Sequence, residues 1–264
     1  MARAKAEPKE QEIVIPPLRK GHTKAWIQGT SPLIFNCMSA KATHDLLYPQ
    51  TKTKATKRDN LKHEPMSEYR NSVYRAREDG PTRLVLPSTA IKGAMRSAAL
   101  EIPGVMKTQI GRLLWVQGYN IPVWGIPQML MSVVRSADKN RTPDIRTRAI
   151  ISDWCACAEI EYVMPAINDT VLARLIGMAG AVIGLGDFRQ EKGAGSFGQF
   201  VICDEKDVTS LKKRGGRAAQ DKALETPTFY DRETEVLYTW FMDEILRRGD
   251  QKKLEAAQAK AAAG

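Results

Sequence analysis

The order in which strand-like and helix-like patterns follow one another constrains the fold of this chain more than any single motif. Two apolar helical stripes each lie between strand-like segments, so that a strand–helix–strand succession occurs twice. Two such units, with their helices on one side of an antiparallel sheet, form a ferredoxin-like fold. The sequence therefore predicts an α+β protein with a ferredoxin-like core, in which an antiparallel sheet carries helices on one face.

The individual elements follow from the periodicity of apolar residues. The first helix is predicted to begin after Leu86-Pro87-Ser88, with Ser88 or Thr89 supplying the N-cap oxygen, since Ile91 and Met95 recur at helical spacing. The second begins at Asn168, a residue type that favours helix N-termini. A last amphipathic helix is predicted at about 231–248. The strand-like segments are 22–30, 128–137, 147–163 and 199–203.

Composition and charge limit the classes of partner. The chain has 264 residues, 43% hydrophobic and 27% charged, which is the profile of a soluble globular protein. Lys and Arg total 40 against 30 Asp and Glu, and the resulting net charge of +10 attracts polyanions. Its most apolar stretch, 175–186, is too short to cross a membrane, which takes ~20 residues. The first twelve residues alternate in charge and lack an apolar signal region, so we expect a cytoplasmic protein without a membrane partner.

Changes in composition predict three segments. Residues 1–21 form a charged N-terminal arm, 22–203 form the core, and 204–264 form a basic linker with a C-terminal helix. Within the core, residues 41–83 are rich in charges and show no sustained period, which predicts a long insertion without regular structure. Such segments inside compact domains are usually functional or disordered.

Basic residues recur outside the predicted core faces. They lie in the insertion, on one face of the first helix, in the strand-joining segment 135–148 and at a glycine-rich turn. Aromatic residues are interleaved with them, among which are Tyr48, Tyr69, Tyr74, Phe188 and Phe197. This combination suits single-stranded nucleic acid, because cations follow phosphates while rings stack on bases. The alternative is that the charges form a solvated face and the phenylalanines belong to the core.

The glycine-rich turn at 193–198 has the literal pattern G-x-G-x-x-G. A dinucleotide-binding fingerprint must leave a strand and open a helix, whereas here a helix precedes and a strand follows. Two interpretations remain open. The turn, flanked by Arg189 and Lys192, either lines a phosphate path or only feeds the last strand.

Residues for catalysis or metal binding are sparse. The adjacent pair His44 and Asp45 is a weak candidate for strand cleavage, and no other nucleophile has a convincing base partner. Cys155 and Cys157 lie two apart on a predicted strand, and no histidine has ligand-like spacing to them. We therefore expect reduced packing thiols, no metal and no cofactor.

Three segments carry a resemblance to a known family. The start of the first helix, LPSTAIKGAMR (86–96), and the segments IGLGDFR (183–189) and GAGSFGQFV (193–201) resemble the RAMP (repeat-associated mysterious protein) superfamily. That superfamily includes the backbone subunits of CRISPR effector complexes. The span from about 22 to 203 also resembles phage and prophage proteins of this kind.

The resemblance implies an RRM-like core with a thumb-like basic insertion and head-to-tail polymerisation along a single strand. Carried over by position, Lys92, Arg96 and the glycine-rich turn hold the backbone, while the basic residues of the insertion form the thumb. The candidate nucleic-acid-binding residues are Lys41, Lys52, Lys54, Lys57, Arg58, Lys92, Arg96, Arg135, Arg141, Arg189, Lys192, Gly193 and Gly195. The sequence departs from the family after Cys203, and the C-terminal helix with Trp240 either docks on the next subunit or covers its own sheet.

These observations lead to one main hypothesis and two alternatives. The main hypothesis is a non-enzymatic, sequence-tolerant binder of single-stranded RNA or DNA that forms a helical homopolymer. Its partners would be nucleic acid, further copies of itself and other CRISPR-type or phage proteins. The alternatives are an RNA endonuclease that uses Asp45 and a protein-interaction module that imitates a CRISPR subunit.

Overall fold

The protein is described as a computed structural model, which covers residues 17–38, 43, 47, 61–135, 143–192 and 195–262. Its strands are β1 (Arg19–Gly29), β2 (Leu33–Ile34), β3 (Val85–Pro87), β4 (Leu114–Val116), β5 (Asn120–Trp124), β6 (Gln128–Arg135), β7 (Pro143–Ile151), β8 (Cys155–Met164) and β9 (Phe200–Cys203). Its α-helices are α1 (Pro65–Asn71), α2 (Ser88–Ala98), α3 (Lys107–Leu113), α4 (Asp169–Met178), α5 (Thr209–Arg214), α6 (Arg217–Glu225), α7 (Arg232–Arg248) and α8 (Gln251–Ala262). None of the described helices is both long and apolar enough to cross a membrane.

The main sheet has the strand order β3-β5-β8-β1-β9, and β4 also pairs with β8. All of these pairings are antiparallel. The helix α2 lies in the chain between β1 and β5, whereas α4 lies between β8 and β9. Because α2 packs against α4 over the same core, the four strands β9-β1-β8-β5 and these two helices form a ferredoxin-like unit. The predicted α+β fold, with an antiparallel sheet and helices on one face, is confirmed.

Strand β1 shows how the sequence divides the two faces of this sheet. Successive side chains of a strand point to opposite faces. Ala25 and Ile27 belong to the core beneath α2 and α4. Trp26 belongs to a second cluster with Trp124 and Cys155, which Val208 and Leu211 cover from the C-terminal segment. Strand β1 thus contributes side chains to the apolar clusters on both faces of the main sheet.

The predicted single strand at 147–163 is wrong, because two strands in different sheets occupy this region. β7 pairs with β2 and β6 in a second, three-stranded sheet, whereas β8 is central in the main sheet. The chain bends between them at 152–154, where the fully buried Trp154 donates from Nε1 to the carbonyl oxygen of Ser31 at 2.9 Å. Apolar and polar residues alternate on both sides of the bend, and so the period alone does not reveal it.

Part of the predicted insertion belongs to the core. Residues 65–71 form α1, and the prediction of a segment without regular structure is wrong there. Tyr69 is fully buried and donates its hydroxyl to the carbonyl oxygens of Pro127 and Ala223, at 3.2 and 3.0 Å. A helix of two turns is too short to show a convincing apolar period. Residues 48–60, which carry most of the predicted basic residues of the insertion, lie outside the described residues.

The C-terminal segment covers the chain's own sheets. The fully buried Gln220 of α6 accepts from the backbone N–H of Arg83 at 2.7 Å and donates to the carbonyl oxygen of Val123 at 2.8 Å. Thr234 of α7 accepts from the backbone N–H of Met131 in β6. The outer side of α7 nonetheless leaves Trp240 59% exposed. Of the two roles considered for this helix, covering its own sheet is confirmed.

Candidate nucleic-acid interface

A cleft of about 450 Å³ lies between α2 and the loop that follows α4. Its walls are the outer face of α2, the start of α3, residues 183–191 and the two residues after β2. Segments that are far apart in the sequence therefore meet here. Two of the three segments that resemble the RAMP superfamily, 86–96 and 183–189, face each other across it.

Helix α2 brings Arg96 into the cleft. Ile91 and Met95 are buried in the core, so the opposite stripe of the helix faces outward. Lys92 lies one helical turn before Arg96 and is half-buried, but it does not line the cleft. The predicted cap at Ser88 or Thr89 is wrong, because the helix already begins at Ser88, its N-cap residue is Pro87 and no side chain caps it.

The guanidinium of Arg96 is incompletely paired. Its Nε is buried and has no hydrogen-bond partner among the described residues. The group lies close over α3 at Gly111, where a Cβ atom would come within 2.8 Å of Nε. A glycine at this position therefore leaves the space that the guanidinium occupies.

Lys107 is a cleft residue that sequence reasoning missed. It begins α3 and donates from Nζ to Oγ of Ser97 at 3.2 Å. The region 105–127 shows neither a clear helical nor a clear strand period, so the sequence gives no reason to place Lys107 near α2. Its contact with Ser97 depends on how α3 packs.

The loop after α4 forms the opposite wall and contributes Arg189. Gly186 has a φ of 77°, and a Cβ atom there would lie 2.4 Å from the carbonyl oxygen of Ile34, so only glycine fits. Arg189 donates from Nη1 to the carbonyl oxygen of Gly186 at 3.0 Å. Its Nε and Nη2 both donate to one oxygen of Glu191, at 2.9 and 2.7 Å. Among the described residues, three cations and one acid thus line the cleft.

The glycine-rich turn is also shaped by close packing of the backbone. A Cβ atom on Gly195 would overlap the carbonyl oxygen of Phe188, which accounts for a glycine there on structural grounds. Phe188 is 48% exposed and contacts Phe197, with 6.2 Å between ring centroids. As predicted, a strand rather than a helix follows the turn. Lys192 ends a short 3₁₀ turn (Gln190–Lys192), and Gly193 lies outside the described residues.

The remaining predicted residues do not line this cleft or are not described. Arg135 ends β6 in the second sheet and is exposed, away from the cleft lining. Other predicted residues lie outside the described part of the chain, namely Lys41, Asp45, Lys52, Lys54, Lys57, Arg58 and Arg141. The structure therefore brings together Arg96 and Arg189 from the predicted set, and adds Lys107.

Comparison with known proteins adds little to this geometry. No protein-family model and no curated protein sequence matches the chain. Among solved structures it is similar to the crystal structure of Cmr6 from Pyrococcus furiosus, with a TM-score of 0.36 and 8% identity over 70% of this chain and 98% of that one. It is also similar to a chain in the cryo-EM structure of the type III-B Cmr-beta complex bound to cognate target RNA, with a TM-score of 0.33 and 12% identity over 69% of this chain and 59% of that one. Neither similarity is high enough to assign the chain to a family or a function.

The opposite face of the main sheet also carries a cation beside aromatic rings. Nζ of Lys212 lies 4.4 Å from the ring centroid of Trp26 and 5.7 Å from that of Trp124. The same nitrogen donates to a carboxylate oxygen of Glu205 at 2.5 Å. A second cavity of about 420 Å³ opens beside this cluster. Lys212 is thus partnered within the chain.

The cysteines on that face have the properties of packing thiols. Cys155 is fully buried, and burial raises its pKa to about 12. Burial likewise raises the pKa of Cys157 to about 11. Neither forms a disulfide bond. The described residues contain no group of three or more His, Cys, Asp or Glu side chains placed to hold a metal ion.

A histidine joins the start of α1 to β7. His63 Nδ1 lies 2.9 Å from Oε1 of Glu68, and its Nε2 lies 3.1 Å from Oδ1 of Asp144. The hydrogen bond to Glu68 and the two carboxylate charges raise the pKa of His63, against the effect of burial and of Lys62. Both ring nitrogens can donate at once only in the protonated form.

Proposed function

We propose that this protein binds the sugar–phosphate backbone of single-stranded nucleic acid in the cleft between α2 and residues 183–191. The observation that carries the proposal is the buried Nε of Arg96, which has no partner among the described residues and shares the cleft with Lys107 and Arg189. An unsatisfied buried donor costs about 1–3 kcal/mol, and more when the group is charged. A phosphate oxygen would accept this hydrogen bond and relieve the cost.

The charge balance of the cleft fits a polyanion. Arg96, Lys107 and Arg189 face one acid, Glu191, so the lining is positive. Guanidinium groups match phosphate oxygens in geometry as well as charge. Contacts of this kind hold the backbone without reading base edges, and the proposed binding is therefore tolerant of sequence.

The proposal includes head-to-tail assembly of copies of this protein along the strand, in the cytoplasm. It includes other CRISPR-type or phage proteins as further partners, and it assigns the protein no catalytic activity. The RAMP-like motifs at 86–96 and 183–201 imply a backbone-type subunit, and two of these segments form the walls of the cleft. The exposed apolar side chains of α7, Val236 and Trp240, are each 59% exposed and offer a surface for the next copy.

The test is equilibrium binding of fluorescein-labelled single-stranded RNA and DNA, followed by anisotropy over a series of salt concentrations. Each neutralised phosphate contributes roughly −0.7 to the slope of log affinity against log salt for single strands. We expect a slope of about −2 if the three cleft cations each neutralise one phosphate. A flat salt response, or equal affinity for a short duplex, would contradict the proposal.

The absence of catalysis is tested separately. Labelled RNA incubated with the protein, with and without magnesium, is expected to be recovered intact. Site-specific products that disappear in the variant Asp45→Ala would instead establish the endonuclease alternative. Absence of oligonucleotide binding even at low salt would favour the protein-interaction module.

A further inference from the structure

Glu191 holds an unusual position for an anion-binding cleft. Among the described residues that line the cleft, it is the only acid. Its Oε2 accepts from both Nε and Nη2 of Arg189, at 2.9 and 2.7 Å. Because Nη1 donates to the carbonyl oxygen of Gly186, three of the five N–H groups of Arg189 are already engaged.

The occupied edge of Arg189 is the one best suited to phosphate. Nε and Nη2 form a fork that binds two oxygens of a carboxylate or a phosphate side by side. A phosphate and the Glu191 carboxylate cannot both occupy this fork, and their like charges repel each other at such short range. The phosphate must displace the carboxylate before Arg189 binds it through this edge.

Arg96 differs from Arg189 in this respect. Its buried Nε has no partner to lose among the described residues, so a phosphate bound there breaks no pair inside the protein. A strand entering the cleft therefore meets one cation that is ready to bind and one that is held by an acid.

We infer that Glu191 is an internal competitor that holds Arg189 until a backbone phosphate displaces it, and thereby sets the affinity of the cleft. This inference rests on the proposed function. It predicts that single strands bind more weakly than the three cations alone would allow. The opposite role, in which Glu191 orients Arg189 for binding, predicts the opposite sign when the carboxylate is removed.

The test is Glu191→Gln, which keeps the size of the side chain and removes its charge. We expect single-stranded RNA to bind roughly tenfold more tightly, equivalent to about 1.4 kcal/mol. The salt slope should stay at about −2, because the bound strand contacts all three cleft cations in both proteins. The control is Glu255→Gln on α8, an exposed acid outside the cleft with the same change in net charge.

Three results would overturn the inference. Weaker binding in Glu191→Gln would show that the carboxylate orients Arg189. Equal tightening in Glu255→Gln would show an effect of net charge alone. Tightening that persists when Glu191→Gln is combined with Arg189→Ala would show that the competition does not act through Arg189. A wild-type protein that fails to bind single strands refutes the proposed function instead, and this outcome is separate from the other three.

Discussion

The two faces of the main sheet differ in how their cations are satisfied. On the face opposite α2 and α4, Lys212 lies over Trp26 and donates to Glu205, so the chain itself supplies its partners. On the side of α2 and α4, Arg96 reaches the cleft with a buried Nε that has no partner among the described residues. Both residues contribute equally to the net charge. The difference teaches that a basic residue becomes a candidate for binding when the folded chain leaves it without a partner, and the count of basic residues does not show this.

The largest expected effect is on the cleft itself. Replacing both Lys92 and Arg96 with alanine should weaken single-strand binding on the order of 100-fold, or about 2.7 kcal/mol. The charge-assisted contact of Arg96 to phosphate in the cleft is then lost, and Lys92, one helical turn away, no longer adds to the positive charge near it. The melting temperature should not fall, since the apolar stripe of α2 stays intact. Anisotropy and thermal unfolding measure the two quantities.

The matched control for this pair is Arg232→Ala with Lys252→Ala. Both residues are exposed and lie outside the cleft lining, and the loss of charge is the same. Comparable weakening in the control would mean that only the overall field matters. Unfolding of the variant Lys92→Ala with Arg96→Ala would mean that the pair is structural.

A smaller effect is expected from Gly111→Ala, which displaces Arg96 without removing it. The added Cβ would lie 2.8 Å from Nε and 3.1 Å from Cδ of Arg96, so the side chain must shift. We expect affinity to fall roughly fivefold, or about 1 kcal/mol. Alanine is favoured over glycine in helices by up to about 1 kcal/mol, and the protein should therefore not lose stability. The expected signature is weaker binding in a protein that is at least as stable.

Gly177→Ala in α4 separates this effect from helix propensity. A Cβ atom there meets nothing within 4 Å, so only the helix should be stabilised. Weaker binding in both variants would indicate a general response to helix stiffness. Unchanged binding in Gly111→Ala would show that Arg96 does not need its present position.

Sequence patterns predicted the two core helices and the outward face of α2 that forms one wall of the cleft. The apolar stripes of α2 and α4 placed both helices, and the N-cap at Asn168 is confirmed by its hydrogen bond from the Val171 N–H at 2.9 Å. The spacing of Arg96 from the buried Ile91 and Met95 predicted that it faces outward. Each of these features depends only on residues within one helix, so it can be read from a single sequence.

What the sequence did not predict depends on contacts between distant segments. The bend at 152–154 is fixed by Trp154 and Ser31, more than a hundred residues apart. The paired state of Lys212 needs Trp26, whose position beside Cys203 follows from the register of β1 and β9. Whether a cation is partnered is a tertiary property, and this is why charge runs overstate the number of candidate binding residues.

The next prediction concerns Lys212, on the opposite face of the main sheet from Arg96. Lys212→Met keeps most of the side-chain stem but removes the charge above Trp26, and we expect a loss of about 1 kcal/mol of folding stability. Nucleic-acid affinity should change by less than about twofold, which is within 0.4 kcal/mol. Urea unfolding and anisotropy on the same preparations measure both values.

Lys213→Met on the same helix is the control, because Lys213 is exposed. It should leave stability close to that of the wild type. A Lys212→Met protein that is fully stable but binds nucleic acid poorly would contradict this assignment. The binding surface would then include the face of the sheet that carries Lys212.

The smallest expected effect concerns His63, whose pairing depends on its protonation. Its raised pKa means that the folded protein binds the proton more tightly than the unfolded chain does. The resulting stability is fully present below the unfolded pKa of about 6.5 and is lost as pH rises through the folded pKa. Lys62, Glu68 and Asp144 are the charged groups that face the ring.

We expect the free energy of unfolding to fall by on the order of 0.5 kcal/mol between about pH 6 and pH 8, a value typical of partly exposed ion pairs. In His63→Gln this fall should be absent, because glutamine carries no titrating proton. Urea unfolding of both proteins at several pH values measures the difference. A fall of equal size in the two proteins would assign it to other groups. A fall seen only in the wild type would show that His63, like Lys212, stabilises the fold when it is charged and has partners within the chain.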